Sequence, residues 1–286
     1  MLARTFAALA GLLATFGLAA CGSEDVSAPV SPRAAVTQAA DETSAAGSYR
    51  ASFEMTMSGL SPEPLTMTGE GIFDSSERKA RMTMDMSALG IGSGQDLGEA
   101  EMIFDDSLVY MKFPFLPELQ PIVKPWFKFD IRELGKEQGF DLRQLFQLNQ
   151  NDPSQALQYL RAASDDVEEV GREEVRGVPT THYGMAVDLR KVVGQALEGQ
   201  REQLRASIDQ IIALSGVHEV PTEVWIDDDG LARRVRLTYE NMGFAPGAQG
   251  DMTMMMDLYD FGVDVDVEPP PQDEVTDIQQ LMQRGG

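Results

Sequence analysis

The sequence predicts an α+β fold: about ten antiparallel strands with one long, apolar-faced helix. Three observations predict it. From Ser48 onward, apolar residues recur at every second position, the period of a half-buried strand. Short turns rich in Pro, Gly, Asp and Ser separate these segments, so consecutive strands form an antiparallel meander. One segment, Leu189 to about Leu214, instead carries its apolar residues at the helical period.

Before the strands comes a different composition. Arg4 precedes an apolar run, Thr5 to Gly17, and then Leu18-Ala19-Ala20-Cys21, with Gly22 behind it. Small residues just ahead of the only cysteine read as a secretory signal over 1–20 ending in a lipoprotein cleavage box. The apolar run is too short for a lasting transmembrane helix. Cys21 Sγ is the expected acylation site, and two acyl chains give a stable anchor. Residues 21–47, rich in Ser, Ala, Pro, Thr and acids, read as a flexible tether, with a short helix possible over Val36 to Ala46. The folded domain is expected over 48–286.

Within that domain, Tyr49, Ala51, Phe53, Met55 and Met57 alternate with polar residues. Pro62 and Pro64 mark a turn into Leu65 to Phe73. Ser75-Ser76 leads to Ala80, Met82, Met84 and Met86, and a glycine-rich break precedes Ala100, Met102 and Phe104. Asp105-Asp106 turns into Leu108 to Phe113. The Pro-rich stretch Phe113 to Pro125 is irregular, and Trp126 to Asp130 reads as a short strand. Leu142 to Phe146 and the segment after Asp152-Pro153 suggest helices. Val167 to Val175 and Thr180 to Asp188 form a hairpin. The amphipathic helix follows, its stripe including Val192, Leu204, Ile208, Ile211 and Ile212. Asp227-Asp228-Asp229-Gly230 is a hairpin turn between Thr222 to Ile226 and Ala232 to Tyr239. Met252 to Leu258 is a strand, Val263 to Val267 alternates again, and Val275 to Met282 reads as a short helix.

Bulk properties exclude some functions. Lys and Arg total 23 against 46 Asp and Glu, a net charge of −23. Nucleic-acid binding needs a basic footprint that is missing here. With Cys21 acylated, no cysteine remains for a disulfide or a thiolate metal site.

Methionine, at 16 residues, is the informative excess. Met55, Met57, Met67, Met82, Met84, Met86, Met102, Met252, Met254 and Met256 fall on alternating apolar faces of strands, where β-branched residues normally dominate. Methionine is flexible and polarisable, so a face rich in it suits a variable partner. A concave sheet that accepts acyl chains fits this pattern; so does a soft, self-filled core. Gly69 and Gly71 within one strand mark a bulge, a bend or a close approach.

Reactive constellations are scarce. His182 and His218 stand far apart and read as structural or exposed. There is no Gly-x-Ser-x-Gly elbow, His-Glu-x-x-His pair or phosphate loop, which argues against a hydrolase. The Asp227 turn lacks the spacing of a calcium loop. No cofactor is expected.

Four motifs carry a family resemblance. Val167-Glu168-Glu169-Val170-Gly171 with Val175-Arg176-Gly177-Val178-Pro179-Thr180-Thr181-His182-Tyr183 is the first. Val220-Pro221-Thr222-Glu223-Val224-Trp225-Ile226-Asp227, with Gly230 and Arg233-Arg234, is the second. Tyr259-Asp260-Phe261-Gly262 and the Val-rich run into Pro269-Pro270 complete the set. In this order they resemble the actinobacterial lipoproteins typified by LprG and LppX, whose fold is similar to LolA and LolB. The resemblance implies a strongly curved antiparallel half-barrel of about ten strands with helices packed on the concave side, and an acylated lipid or glycolipid as ligand. The expected lining is Phe53, Met55, Met57, Met67, Phe73, Met82, Met84, Met86, Met102 and Phe104, with Leu204, Ile208 and Ile211 opposite. The expected partners are the lipid, the membrane through Cys21, and a membrane exporter. The alternative is a surface lipoprotein that senses or scaffolds an envelope protein without lipid cargo.

Overall fold

The computed structural model describes residues 31–59, 61–90, 97–113, 124–131, 166–193, 201–245 and 248–278. The signal segment, Cys21, the helices expected near Leu142 and Asp152, and most of the Phe113 to Pro125 stretch lie outside the described residues.

The folded unit begins at Ser31, not Ser48. Helix α1 (Pro32–Ala45) starts where Ser31 Oγ accepts from the Ala34 N–H, with Pro32 preset for the first turn. It buries Val36, Ala39, Ala40 and Thr43, a stripe at helical spacing. The expected tether therefore loses its latter part to the core.

The strands are β1 (Ser48–Ser58), β2 (Leu65–Asp74), β3 (Lys79–Asp85), β4 (Glu99–Asp105), β5 (Leu108–Lys112), β6 (Trp126–Asp130), β7 (Glu168–Val175), β8 (Val178–Asp188), β9 (Glu219–Asp227), β10 (Ala232–Ala245), β11 (Ala248–Tyr259) and β12 (Val275–Asp277). Helices α2 (Leu189–Val192) and α3 (Arg201–Ser215) lie between β8 and β9. These twelve strands of the described residues form one open, curved sheet, in the order β12-β6-β5-β4-β3-β2-β1-β11-β10-β9-β8-β7. The first strand thus pairs with the eleventh, antiparallel, from Arg50 opposite Tyr259 to Ser58 opposite Asp251. Among the described residues every pairing is antiparallel except β12 with β6.

The twelve described strands correct the expected ten. Val275 to Asp277, read as the start of a helix, adds to the sheet edge as β12. Val263 to Val267 alternates but makes no ladder. It crosses the outer face, where Val265 and Val267 pack with Ile103, Tyr110 and Trp126. Its alternation reflects one apolar contact surface, not strand pairing.

The main core lies on the other face. Tyr49, Phe73, Ala80, Phe104, Val109, Phe129, Val224, Val235 and Leu258 from the sheet meet Val36 and Ala39 of α1 and Ile208 and Ile212 of α3. Each strand presents alternate residues to this core. Tyr49 stacks on Phe73 with centroids 5.3 Å apart.

Candidate functional site

The register sets the apolar face out in rows. Tyr49 lies beside Phe73, then Ala80, Phe104, Val109 and Phe129. The next row carries Ala51, Gly71, Met82, Met102, Met111 and Phe127. Phe53 lies between Gly69 and Met256, with Met84 and Val235 beyond them. Met55 lies between Met67 and Met254, and Met57 between Leu65 and Met252. On β10 these rows continue into Leu237 and Tyr239.

Burial falls along the strands. Tyr49 and Ala51 are fully buried at 0%, whereas Phe53, Met55 and Met57 are half-buried. Met82, Met84, Met102, Met252, Met254 and Met256 are half-buried too. The face is therefore a packed core at one end and a methionine wall at the other. Covering apolar area on that wall is favourable by about 25 cal/mol per Å². The wall also raises the local cost of charge: burial pushes the Tyr239 phenol above its ordinary 10.0.

Glycine shapes the wall. The β1–β2 register runs unbroken through Gly69 and Gly71, so neither marks a bulge. Each marks a close approach. The Phe53 ring lies over Gly69, where a Cβ would collide with it and with the Thr83 carbonyl oxygen. The Phe73 ring does the same at Gly71, 2.9 Å from where a Cβ would sit.

The expected lining residues separate by role. Phe53, Met55, Met57, Met82, Met84 and Met102 share the wall. Phe73 (3% exposed), Phe104 (7%) and Met67 (8%) are buried, so they are filled neighbours more than free lining. Met86 follows the end of β3, half-buried, its N–H donated to the Gly98 carbonyl. Ile208 is a core residue, and the Leu204 and Ile211 side chains lie outside the described residues. Met111, Met185, Leu237 and Tyr239 join the face without a signal in the sequence. Their single methionines and mixed strands give no local excess; only the register brings them in.

The opposite face holds a polar network around His182, which is buried and stacks on Trp225 at 4.0 Å. Its Nδ1 is 3.2 Å from Glu173 Oε1, and Trp225 Nε1 donates to Glu173 Oε2 at 3.3 Å. His182 Nε2 lies 3.3 Å from Glu223 Oε1. Arg236 pairs with Glu223, and Arg234 with Asp257 at 2.8 Å; both guanidinium groups lie over the Trp225 ring. His182 is buried within this network, and His218 is exposed. Asp227 organises its turn: it accepts from the Asp229 and Leu231 N–H groups and pairs with Arg233 at 2.6 Å. Among the described residues no group of His, Cys, Asp and Glu is arranged to hold a metal. A surface groove of about 280 Å³ beside β7 is lined by Arg172, Glu173, Glu174, Pro179, Thr180 and Asp228, and by none of the wall.

The fold and this face define the class: an open, curved, mostly antiparallel sheet with an apolar wall. Solved structures similar to it include the lipoprotein LppX of Mycobacterium tuberculosis, at 14% identity and a TM-score of 0.48, covering 83% of this chain and 98% of that one. LprF of Mycobacterium bovis matches at 11% identity and a TM-score of 0.48, covering 84% and 96%. A LolA superfamily protein of Nitrosomonas europaea matches at 7% identity and a TM-score of 0.29, covering 85% and 96%. No family model matches the chain. In sequence it is 30% identical over 166 residues to the uncharacterized 31.2 kDa protein of the rplA-rplJ intergenic region of Streptomyces griseus, a match over 57% of this chain. The chain spans about half the length of that curated relative, 51%.

Proposed function

We propose that this protein is a cell-envelope lipoprotein that binds an acylated lipid or glycolipid on its methionine wall. It works at the extracytoplasmic face of the membrane, anchored by acylated Cys21, and carries or presents its lipid there. The observation that carries the reading is the half-buried methionine rows across β11 and β1 and across β3 and β4. Such a wall solvates hydrocarbon without a fixed shape: each CH₂ it takes from water contributes about 0.8 kcal/mol, and flexible thioethers adapt to different chains. The reading is of a binder: its carrying feature is the apolar wall, and the outer network around His182 is built of the Glu173, Trp225, Glu223 and Arg236 side chains. The tether runs from Cys21 toward α1, which is held in the core by Val36, Ala39, Ala40 and Thr43. The body stays at the bilayer surface, and long-range delivery falls to a partner such as a membrane exporter.

Native mass spectrometry of the full chain after mild extraction tests this. The expected result is a co-purified lipid mass and displacement of that lipid by a fluorescent fatty acid. No lipid and no probe uptake, with one envelope protein enriched instead, would replace it with the scaffold reading.

A further inference from the structure

The wall presents thioethers side by side on neighbouring strands. We infer that its half-buried methionines are a redox-sensitive surface, oxidised by peroxide to sulfoxides that expel the acyl ligand; the ligand part of this inference rests on the function proposed above. Leucine would supply similar apolar area with better-defined rotamers, so the use of thioethers on neighbouring strands gives the wall a chemistry that leucine lacks. Met57 lies opposite Met252, and Met55 opposite Met254, on β1 and β11. All four are half-buried, within reach of a small oxidant. Met67 and Met185, each 8% exposed, are shielded on the same face and act as an internal comparison.

The step balances. The thioether sulfur attacks one peroxide oxygen and the O–O bond breaks. The sulfur gives up two electrons and gains S=O, and the second oxygen leaves as water with both protons. Hydrogen peroxide is the oxidant, available outside the cytoplasm. The product is a polar, chiral side chain that two-electron reduction by methionine sulfoxide reductases restores. An S=O dipole facing a hydrocarbon chain has no hydrogen-bond partner there, so each oxidised contact weakens binding about tenfold.

The test treats the full chain with graded hydrogen peroxide, maps sulfoxides by peptide mass spectrometry and titrates a fluorescent fatty acid. The expected order is Met55, Met57, Met252 and Met254 before Met67 and Met185, with a fall in probe affinity of at least about tenfold that sulfoxide reductases reverse. The variant Met55→Leu/Met57→Leu/Met252→Leu/Met254→Leu is expected to lose a smaller fraction of its own untreated probe affinity after peroxide than the parent does, since Met82, Met84, Met102 and Met256 remain on the wall. Uniform oxidation across buried and half-buried positions overturns the site. Full probe affinity with the four sulfoxides mapped overturns the release. If the untreated chain takes up no probe, the lipid reading falls, while the order of oxidation still decides whether the site stands.

Discussion

The Phe53 ring lies over Gly69, in the space a side chain on β2 would need, with the Thr83 carbonyl oxygen also within that space. Phe53 is one of the few rigid members of a wall otherwise built from methionine, and Gly69 seats it. Gly69→Ala is expected to displace both the ring and the β2–β3 ladder. The ring can swing outward, but the ladder oxygen is backbone and is met just as closely, so the β2–β3 ladder must shift as well. Overpacking of this kind costs about 1–3 kcal/mol. For a chain of this size that is a fall in melting temperature of roughly 2–4 °C per kcal/mol. Chemical denaturation should show a lower midpoint with an unchanged slope, and loss of fatty-acid probe binding should exceed what the stability change explains.

Thr43 ties α1 to the sheet. Its Oγ1 accepts from the Ala232 N–H at 2.9 Å, and Thr43 is fully buried at 0%. Thr43→Val keeps the shape and removes the acceptor, leaving a buried backbone donor unpaired. The expected cost is about 1–3 kcal/mol, whereas Thr43→Ser keeps the bond and loses less. Deleting 31–47, the latter part of the 21–47 stretch that composition assigns to a tether, should destabilise the domain more than either substitution. Thermal denaturation of the parent and these three variants checks the order.

That tether shows where the sequence stops being legible. Ser31-Pro32 is a readable helix start, but the stripe behind it is Val36, Ala39, Ala40 and Thr43. Alanines carry too little apolar area to announce a core face, and they are buried because a close-packed helix needs small residues there. The strands are legible because a period of two is a local signal, and the methionine excess on β1 to β4 with it. Pairing between β1 and β11 is not, since no local pattern says that Met57 faces Met252. The His182–Trp225 stack is hidden for the same reason: His182 and Trp225 meet only through the β8–β9 register. Val263 to Val267 misleads because a segment lying on an apolar surface alternates as a strand does.

The turn after β2 gives a pH prediction. Burial pushes the Asp74 carboxyl upward, but hydrogen bonds from the Ser76 hydroxyl and from the Glu77 and Ser76 N–H groups outweigh it, so its pKa lies below the ordinary 3.8. A carboxylate with a lowered folded value binds protons less readily than in the unfolded chain. Its stabilising effect is therefore complete above the ordinary value and is lost as pH falls through the folded one. Asp74→Asn should leave the melting temperature slightly lower at pH 7 and should flatten its decline below about pH 4. The same slope in both proteins would show that the Asp74 turn takes no part in acid denaturation.

A charge placed on the wall separates binding from folding. Met55 is half-buried between Met67 and Met254, away from the fully buried Tyr49 and Ala51 end of β1. Met55→Glu puts a carboxylate where hydrocarbon would lie. Partial exposure lets the group keep some water while the ligand is absent, so the apo protein should lose about 1 kcal/mol or less. Ligand binding would bury the charge, and the site would then bind the probe at least about a hundredfold more weakly. Met55→Leu should bind within about threefold of the parent, because swaps of similar volume are tolerated. The contrast also works in pH: acidification that protonates the introduced carboxylate should recover part of the lost affinity in that variant and change nothing in Met55→Leu. If Met55→Glu binds the fatty-acid probe as the parent does, the acyl chain does not lie on this face, and the wall is only a soft core.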